Sequence, residues 1–181
     1  MTPLISLLRL AYSAERAAAF AYQGHAASVR DAGEKRDLRR IEYEEWAHRE
    51  HLGRMLSALG ERPSSFLEFK FACIGKAISL SCHLIGWFLP MYFAGRLESG
   101  NAEEYVVLER LAAEQGMSEE LECIREMARV EKTHEDFFLE KVRGHWALPL
   151  FEKLFAWGTA RSFNQMEREP FHGPVREKKG V

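Results

Sequence analysis

Two Glu-x-x-His motifs contain the residues best suited to chemistry, Glu45 with His48 and Glu131 with His134. Side chains three positions apart on a helix lie on one face and can reach a common point beside it. Carboxylate oxygens and imidazole nitrogens are donors that iron and manganese accept in proteins. A single motif of this kind is usually a solvated surface pair, so the surroundings of the two motifs decide their meaning.

Both motifs lie on apolar faces when residues are placed at the helical 100° spacing. The first motif shares its face with Leu38, Ile41, Leu52, Met55 and Leu59. The second shares its face with Ile124, Met127, Phe138 and Val142. We therefore expect both motifs to face a core, whereas Glu44 and Glu50 are expected to point away from it.

Two further helices each offer one matching acid. Glu15 is the only acidic residue of the first predicted helix, and it lies on an apolar face. That face contains Leu4, Leu8, Ala11, Ala18, Ala19, Tyr22 and Ala26. In the third helix Glu98 is preferred, because Tyr105 follows it by seven positions as Tyr22 follows Glu15. Glu104 and then Glu109 remain as alternatives.

The elements that must position these residues are helices, because the periodicity is helical nearly throughout and no alternating strand pattern is clear. Four helices are predicted over residues 3–29, 35–59, 90–115 and 119–142, the last with Ser118 as its N-cap. An apolar connecting helix over 66–89 joins the two antiparallel pairs, and a further apolar segment covers 145–169. The prediction is an all-α four-helix bundle over residues 1–169 with an apolar crossover helix, an apolar C-terminal helix and a flexible tail over 170–181.

Four carboxylates facing one core would be very costly without compensating positive charge, and two divalent cations would supply it. One Glu from each of two helices and one Glu-x-x-His from each of the other two resemble the ligand set of ferritin-like di-iron or di-manganese bundles. The predicted ligands are Glu15, Glu45, His48, Glu98, Glu131 and His134. No thiolate belongs to this set, which disfavours a structural zinc site.

Composition narrows the class of protein further. The formal net charge is −2, so no strong overall field favours nucleic-acid binding. Three cysteines without a CxxC motif indicate a reducing compartment, and the N-terminus does not resemble a signal peptide. The cysteines are read as buried small residues, and His25, His51, His83 and His145 as surface or interfacial residues. Cytoplasmic localisation follows as an expectation.

Apolar residues are bunched, above all over residues 77–95, which carry no formal charge, and in the segment WALPLFEKLFAW. We interpret both segments as lying at a membrane interface on the inner face, with Trp and Tyr at headgroup level. Burial inside the bundle, contact with an oligomer mate or partner protein, and a true membrane span remain as alternatives.

Four groups of residues are spaced as in one known family. They are Glu15, Ala18, Tyr22 and Gly24 on the first helix, Glu45, His48 and Arg62-Pro63-Ser64 on and after the second, Glu98 and Tyr105 on the third, and Glu131 and His134 on the fourth. This pattern resembles the demethoxyubiquinone hydroxylases, ferritin-like di-iron monooxygenases of ubiquinone biosynthesis. The resemblance covers residues 4–142 and includes the apolar connecting helix, although Glu104 stands where the family has His.

The resemblance implies an O2-dependent monooxygenase with two iron ions, or manganese, that hydroxylates a membrane quinone with electrons from an external reductant. Together with the geometry, it makes Glu45 and Glu131 the bridging carboxylates and Glu15 and Glu98 the terminal ones. His48 and His134 would each supply one imidazole, one to each iron. Two other functions remain open from the sequence: a ferritin-like oxidase or peroxidase for iron or peroxide, and a helical lipid-binding protein without metal.

Overall fold

The computed structural model describes residues 2–155 and 157, and they form helices without any strand. The helices are α1 (Pro3–Ser28), α2 (Ala32–Ala58), α3 (Ser65–Ser81), α4 (Phe88–Glu114), α5 (Leu121–Val142) and α6 (Leu148–Phe155). The prediction of an all-α fold is confirmed. The chain divides into two compact units, Met1–Lys141 and Val142–Val181. The predicted tail over 170–181 lies outside the described residues.

The first two helices begin at side chains that cap their free N–H groups. Thr2 Oγ1 accepts from the Ile5 N–H at 3.4 Å, and Pro3 occupies the first turn, where it costs no hydrogen bond. Asp31 Oδ1 accepts from the Glu34 N–H at 2.8 Å. Because Asp31 is the cap, α2 starts three residues before the predicted residue 35.

The predicted connecting helix over 66–89 is shorter in the structure. It begins at Ser65 and ends at Ser81, and Gly86 in the following turn adopts a positive φ of 80°, which favours glycine. Pro90 therefore lies in the first turn of α4 instead of ending the previous helix. The apolar run over 77–95 is divided between two helices, and Tyr92, which was expected at headgroup level, is buried in α4.

The start of α5 also differs from the prediction. Residues 118–120 form a turn after Gly116, whose φ is 74°, and the helix begins at Leu121. The N–H of Ile124 already donates to the Glu120 carbonyl at 3.0 Å. Ser118 is thus too far from the helix to serve as the predicted N-cap.

Paired contacts show that the ligand-bearing helices run antiparallel within each pair. Between α1 and α2, Arg49 Nη1 donates to the Tyr12 carbonyl at 2.6 Å and Gln23 Nε2 donates to Glu42 at 3.4 Å. Between α4 and α5, Arg125 Nε pairs with Glu109 at 2.7 Å, and Asn101 Nδ2 lies 3.4 Å from Glu131 Oε2. The two pairs pack together as a helical bundle around a shared core. Its buried cluster contains Leu4, Leu8, Ala11, Leu52, Met55, Leu56, Tyr105, Leu108, Ala112, Ile124, Met127 and Ala128.

The connecting helix α3 packs on α1 through glycine. Gly75 lies against the backbone of Ala17, Gly24 lies against Ser79, and a Cβ on either glycine would overlap its neighbour. Gly75 is the one buried residue of α3, so most of the helix surface faces outward. We call its exposed apolar surface, with the turn that follows, the α3 face: Phe66, Phe69, Ile74, Ile78, Leu80 and Leu84.

The second unit contains α6, the only helix described within it. Trp146, Leu150 and Leu154 are exposed, whereas Leu148 is buried. The remainder of the predicted apolar segment over 145–169 lies largely outside the described residues. Within residues 2–155, none of the helices combines the length and the hydropathy required to cross a membrane.

Candidate metal centre

The structure brings the six predicted ligands together in the bundle interior, and each is at most 4% exposed. Ligand atoms of Glu15, Glu45, His48 and Glu131 all lie within 4.8 Å of one another. The same holds for Glu45, Glu98, Glu131 and His134. Glu45 and Glu131 belong to both groups, so the buried cluster has the form of two adjoining sites that share two carboxylates.

The acid that α4 contributes is Glu98. Glu104 is only partly buried, and burial together with the charge of Glu131 raises its pKa. Glu109 is buried but pairs with Arg125 at 2.7 Å. Neither alternative belongs to the two groups of potential ligands.

Two tyrosines hold the carboxylates of α1 and α4 in a crossed arrangement. The Tyr22 hydroxyl donates to Glu98 Oε1, and the Tyr105 hydroxyl donates to Glu15 Oε1. Each tyrosine follows the acid of its own helix by seven residues and reaches the acid of the other. Because α1 and α4 are antiparallel at this level, one spacing serves both contacts.

Several buried polar atoms of the cluster lack a hydrogen-bond partner. His48 Nδ1 lies 2.8 Å from Glu131 Oε1, and His134 Nδ1 lies 3.1 Å from Glu45 Oε1, yet these atoms do not meet in hydrogen-bond geometry. Both oxygens of Glu45 and Oε2 of Glu15 are also without partners. Unpaired polar atoms are costly in a protein interior, and their convergence fits residues that hold divalent cations.

Burial controls the protonation of this cluster in the absence of metal. Burial first, and then repulsion from neighbouring carboxylates, raises the pKa of Glu15, Glu45 and Glu98 well above the ordinary value. Burial also acts to raise the pKa of Glu131, but the contact with the Glu98 carboxyl and the nearby His48 and His134 imidazoles together outweigh it and lower the pKa to about 2. The metal-free cluster thus keeps protons that bound cations would displace.

Glu44, expected to point away from the core, is half-buried and contacts a predicted ligand. His134 Nε2 lies 2.7 Å from Glu44 Oε2, and Arg40 Nη1 donates to Glu44 at 3.0 Å. Although burial acts to raise the pKa of Glu44, the hydrogen bonds and positive charges of His134 and Arg40 together outweigh it and lower the pKa. The expectation was wrong because the partner of Glu44 is on α5, and the periodicity of α2 alone cannot reveal it.

Asn101 is a second supporting residue that sequence reasoning missed. In the sequence it looks only like a weak point of α4, next to Gly100. Its side-chain N–H group lies 3.1 Å from Glu98 Oε2 and 3.4 Å from Glu131 Oε2. The available signal is its position three residues after Glu98, on the same helical face.

The burial of one histidine and of two cysteines differs from the prediction. His25, expected at the surface or at an interface, is buried within the bundle, and burial lowers its pKa to about 4. Its ring stacks with Tyr22 and Phe138 at centroid distances of 6.4 and 6.2 Å. Of the three free cysteines, which were read as buried, Cys82 is buried, Cys123 is partly exposed and Cys73 is exposed.

No protein-family model, curated protein or solved structure matches the chain. The resemblance to the demethoxyubiquinone hydroxylases therefore stays a prediction from the motif residues. The structure contributes a separate observation, namely buried Glu and His groups that could hold a metal ion. Any assignment of function must start from the chemistry of those groups.

Proposed function

We propose that this protein is a ferritin-like di-iron monooxygenase that hydroxylates a membrane quinone precursor similar to demethoxyubiquinone. The observation that carries the proposal is the pair of adjoining ligand groups with Glu45 and Glu131 in common. Two ions of like charge can sit close together when carboxylates bridge them, and a bundle core with this ligand set is typical of di-iron proteins. Iron is the proposed metal, with manganese as the alternative.

Each side chain has a distinct role in the proposed centre. Glu45 and Glu131 would be shared by the two ions, and Glu15 with His48 would complete one position. Glu98 with His134 would complete the other. When bound, two iron ions would supply O2 chemistry that places one oxygen atom in the quinol ring and releases the other as water, with two electrons and two protons from an external reductant.

The protein matrix orients the ligands and keeps bulk water away from them. Tyr22 and Tyr105 hold the terminal carboxylates from opposite helices. Met55 and Met127 belong to the buried apolar cluster within the same bundle. In such an environment the charge of the carboxylates acts with little solvent screening, which favours cation binding.

The α3 face supports a lipid-like substrate. Phe66 and Phe69 are each 72% exposed and Leu84 is 79% exposed, a density of large apolar side chains that monomeric soluble proteins seldom display. Such a surface fits peripheral attachment to a bilayer, where a polyprenyl quinone resides. We propose attachment at the cytoplasmic face of a membrane.

The decisive experiment supplies the iron-loaded full chain with a chemical reductant, ¹⁸O2 and a demethoxyquinone with a short prenyl tail. The expected product contains one ¹⁸O atom, detected by mass spectrometry. A Glu45→Ala variant should give none, whereas Glu50→Ala, a change at an exposed position of the same helix, should match the unmodified chain. Turnover of peroxide without hydroxylated product would favour the oxidase or peroxidase function instead.

A further inference from the structure

The two halves of the proposed centre have matching ligands but unequal support. We call them the Glu15–His48 position and the Glu98–His134 position, each completed by the shared Glu45 and Glu131. Side chains that hydrogen-bond to a metal ligand fix its orientation and, for histidine, its tautomer. A comparison of these supporting contacts therefore bears on the metal affinity of each position.

The two imidazoles differ in their contacts. His134 Nε2 lies 2.7 Å from the Glu44 carboxylate, an arrangement that leaves Nδ1 to face the cluster. For His48 Nε2, the described part of the chain offers no hydrogen-bond partner. The difference follows from the residue that precedes each motif. Glu44 precedes the α2 motif and contacts His134 of α5, whereas Val130 precedes the α5 motif and has no carboxylate to offer His48.

His48 and His134 also differ in how close each imidazole lies to the protein surface. His48, Ala47, Met127 and Val130 are among the residues that line a groove of about 430 Å³ between α2 and α5. The groove passes beside an imidazole that is 4% exposed, while His134 is fully buried. Of the two imidazoles, His48 lines this groove and His134 does not, although Glu44, the partner of His134, lies in the groove wall.

The terminal carboxylates, Glu98 and Glu15, also differ in the number of hydrogen bonds that they accept. Glu98 accepts hydrogen bonds at both oxygens, from Tyr22 at Oε1 and from Asn101 at Oε2. Glu15 accepts from Tyr105 at Oε1, while its Oε2 is buried without a partner.

Sequence again explains this difference, because the residue three positions after the acid is Asn101 in α4 and Ala18 in α1. Each ligand of the Glu98–His134 position therefore has one supporting contact more than its counterpart.

We propose that the two metal positions are inequivalent: the Glu98–His134 position binds its ion first and more tightly, and the Glu15–His48 position binds second and exchanges its ion through the groove. The inference rests on the proposed metal centre. Loss of a supporting contact to a metal ligand typically lowers affinity about 10-fold to 100-fold. Two such differences on one side predict binding steps at least about 10-fold apart.

The first test is a titration of the metal-free full chain with Co²⁺, followed by visible absorption and by equilibrium dialysis. Two resolved binding steps are expected, with the tighter one filled before the weaker one begins. Two steps of equal affinity would overturn the inequivalence. Failure to bind any Co²⁺ would instead overturn the proposed metal centre, so the two outcomes can be told apart.

Reciprocal variants assign the steps. Glu44→Leu should weaken the tighter step about 10-fold to 100-fold and spare the weaker one. Val130→Glu places a carboxylate at the equivalent half-buried position before the other motif and should strengthen the weaker step. Glu126→Gln removes an exposed carboxylate from the same groove and should change neither step. An equal effect of Glu44→Leu on both steps, or no effect of Val130→Glu, would contradict the proposal.

A spectroscopic readout separates the imidazoles directly. In the Co²⁺-loaded protein, the paramagnetically shifted Nε2–H proton of His134 should exchange slowly with water, because it is buried and hydrogen-bonded to Glu44. The corresponding proton of His48 should exchange fast. Slow exchange should disappear in Glu44→Leu and appear for His48 in Val130→Glu. Equal exchange rates for both protons in the unmodified chain would contradict the assignment.

Discussion

The interior around Glu45 and the α3 face both depart from the usual arrangement, in which polar side chains face water and large apolar side chains are buried. They depart from it in opposite directions. Carboxylates and imidazoles that ordinarily face water are buried in the bundle, and at the α3 face Phe66 and Phe69 stand exposed. Charged groups are rarely buried unless they are paired or bind metal. Large exposed apolar patches usually mark a contact with a partner or a membrane.

Each of the two regions is therefore incomplete, and the chemical reason differs between them. The interior has an excess of negative charge, which divalent cations can balance. The α3 face has an excess of apolar surface, which a lipid phase can cover. Both regions lie in the same compact unit, residues 1–141, so a change in one can be tested for its effect on the other.

The largest expected effect is loss of both metal positions through one shared carboxylate. Glu131→Ala removes a ligand common to both groups. Bound iron should fall from about two ions per chain to nearly none. Elemental analysis of the purified protein measures this, and binding to vesicles should be retained. Retention of one full equivalent of iron would show that Glu131 does not serve both positions.

The second effect concerns the α3 face and leaves the interior untouched. Replacing Phe66, Phe69 and Leu84 by Ser should lower partitioning onto phosphatidylcholine and phosphatidylglycerol vesicles at least about 100-fold, since burial of each side chain contributes about 1.5–3 kcal/mol. Vesicle co-sedimentation measures the change.

A matched control is Tyr43→Ser, which removes an aromatic residue that is 74% exposed on α2, away from the α3 face. This variant should partition like the unmodified chain, and the triple variant should keep its iron. Equal losses in the control and in the triple variant would mean that the α3 face is not the docking surface.

The third expected effect is a dependence of folding stability on pH, and bound metal should reverse its direction. The pKa values of Glu15, Glu45 and Glu98 are raised on folding, so the metal-free folded state holds more protons than the unfolded state above pH 4.5. His48 acts in the same direction, because its pKa is also raised. His25, with a pKa lowered to about 4, contributes no slope above its ordinary value of 6.5.

The metal-free protein should therefore lose stability as pH rises above 6.5 and the buried carboxyls release their protons, by up to about 1.4 kcal/mol per pH unit for each extra proton. The iron-loaded protein should gain stability over the same range, because deprotonation favours metal binding. Urea unfolding at several pH values measures both slopes. A metal-free slope of zero or of the opposite sign would contradict the raised carboxyl pKa values.

The smallest expected effect concerns metal binding in the interior alone. Tyr105→Phe removes the hydroxyl that donates to Glu15 and should weaken metal binding at the Glu15–His48 position about 10-fold, the lower end of the range for one supporting contact, because one hydrogen bond contributes about 0.5–1.5 kcal/mol. Competition with a chelator measures the change. Tyr43→Phe, at an exposed site, serves as the control and should leave affinity unchanged.

Sequence periodicity predicts the buried ligands well, because each of them lies on an apolar stripe of its own helix. The tyrosine offset likewise favours Glu98 over Glu104 and Glu109, and Glu98 is the residue in the cluster. This reasoning works because burial of a helix face depends on local spacing.

Contacts between distant helices were not predictable in the same way. Glu44 looks outward along α2, and only the position of α5 reveals that it reaches His134. His25 is buried through stacking on Phe138, a residue more than a hundred positions away. The end of α3 was misplaced because Pro90 fits both the end of one helix and the first turn of the next.

The glycine contacts between α1 and α3 set a short path between the two contrasting regions. Gly75 meets the Ala17 backbone, two residues beyond Glu15. Helices packed through residues without side chains lie at the near end of the usual interaxial range of about 8–10 Å. Under the proposed function, α3 and α1 would separate a lipid-like substrate at the α3 face from the carboxylates, so its route to them would cross the bundle wall instead of following the length of the bundle.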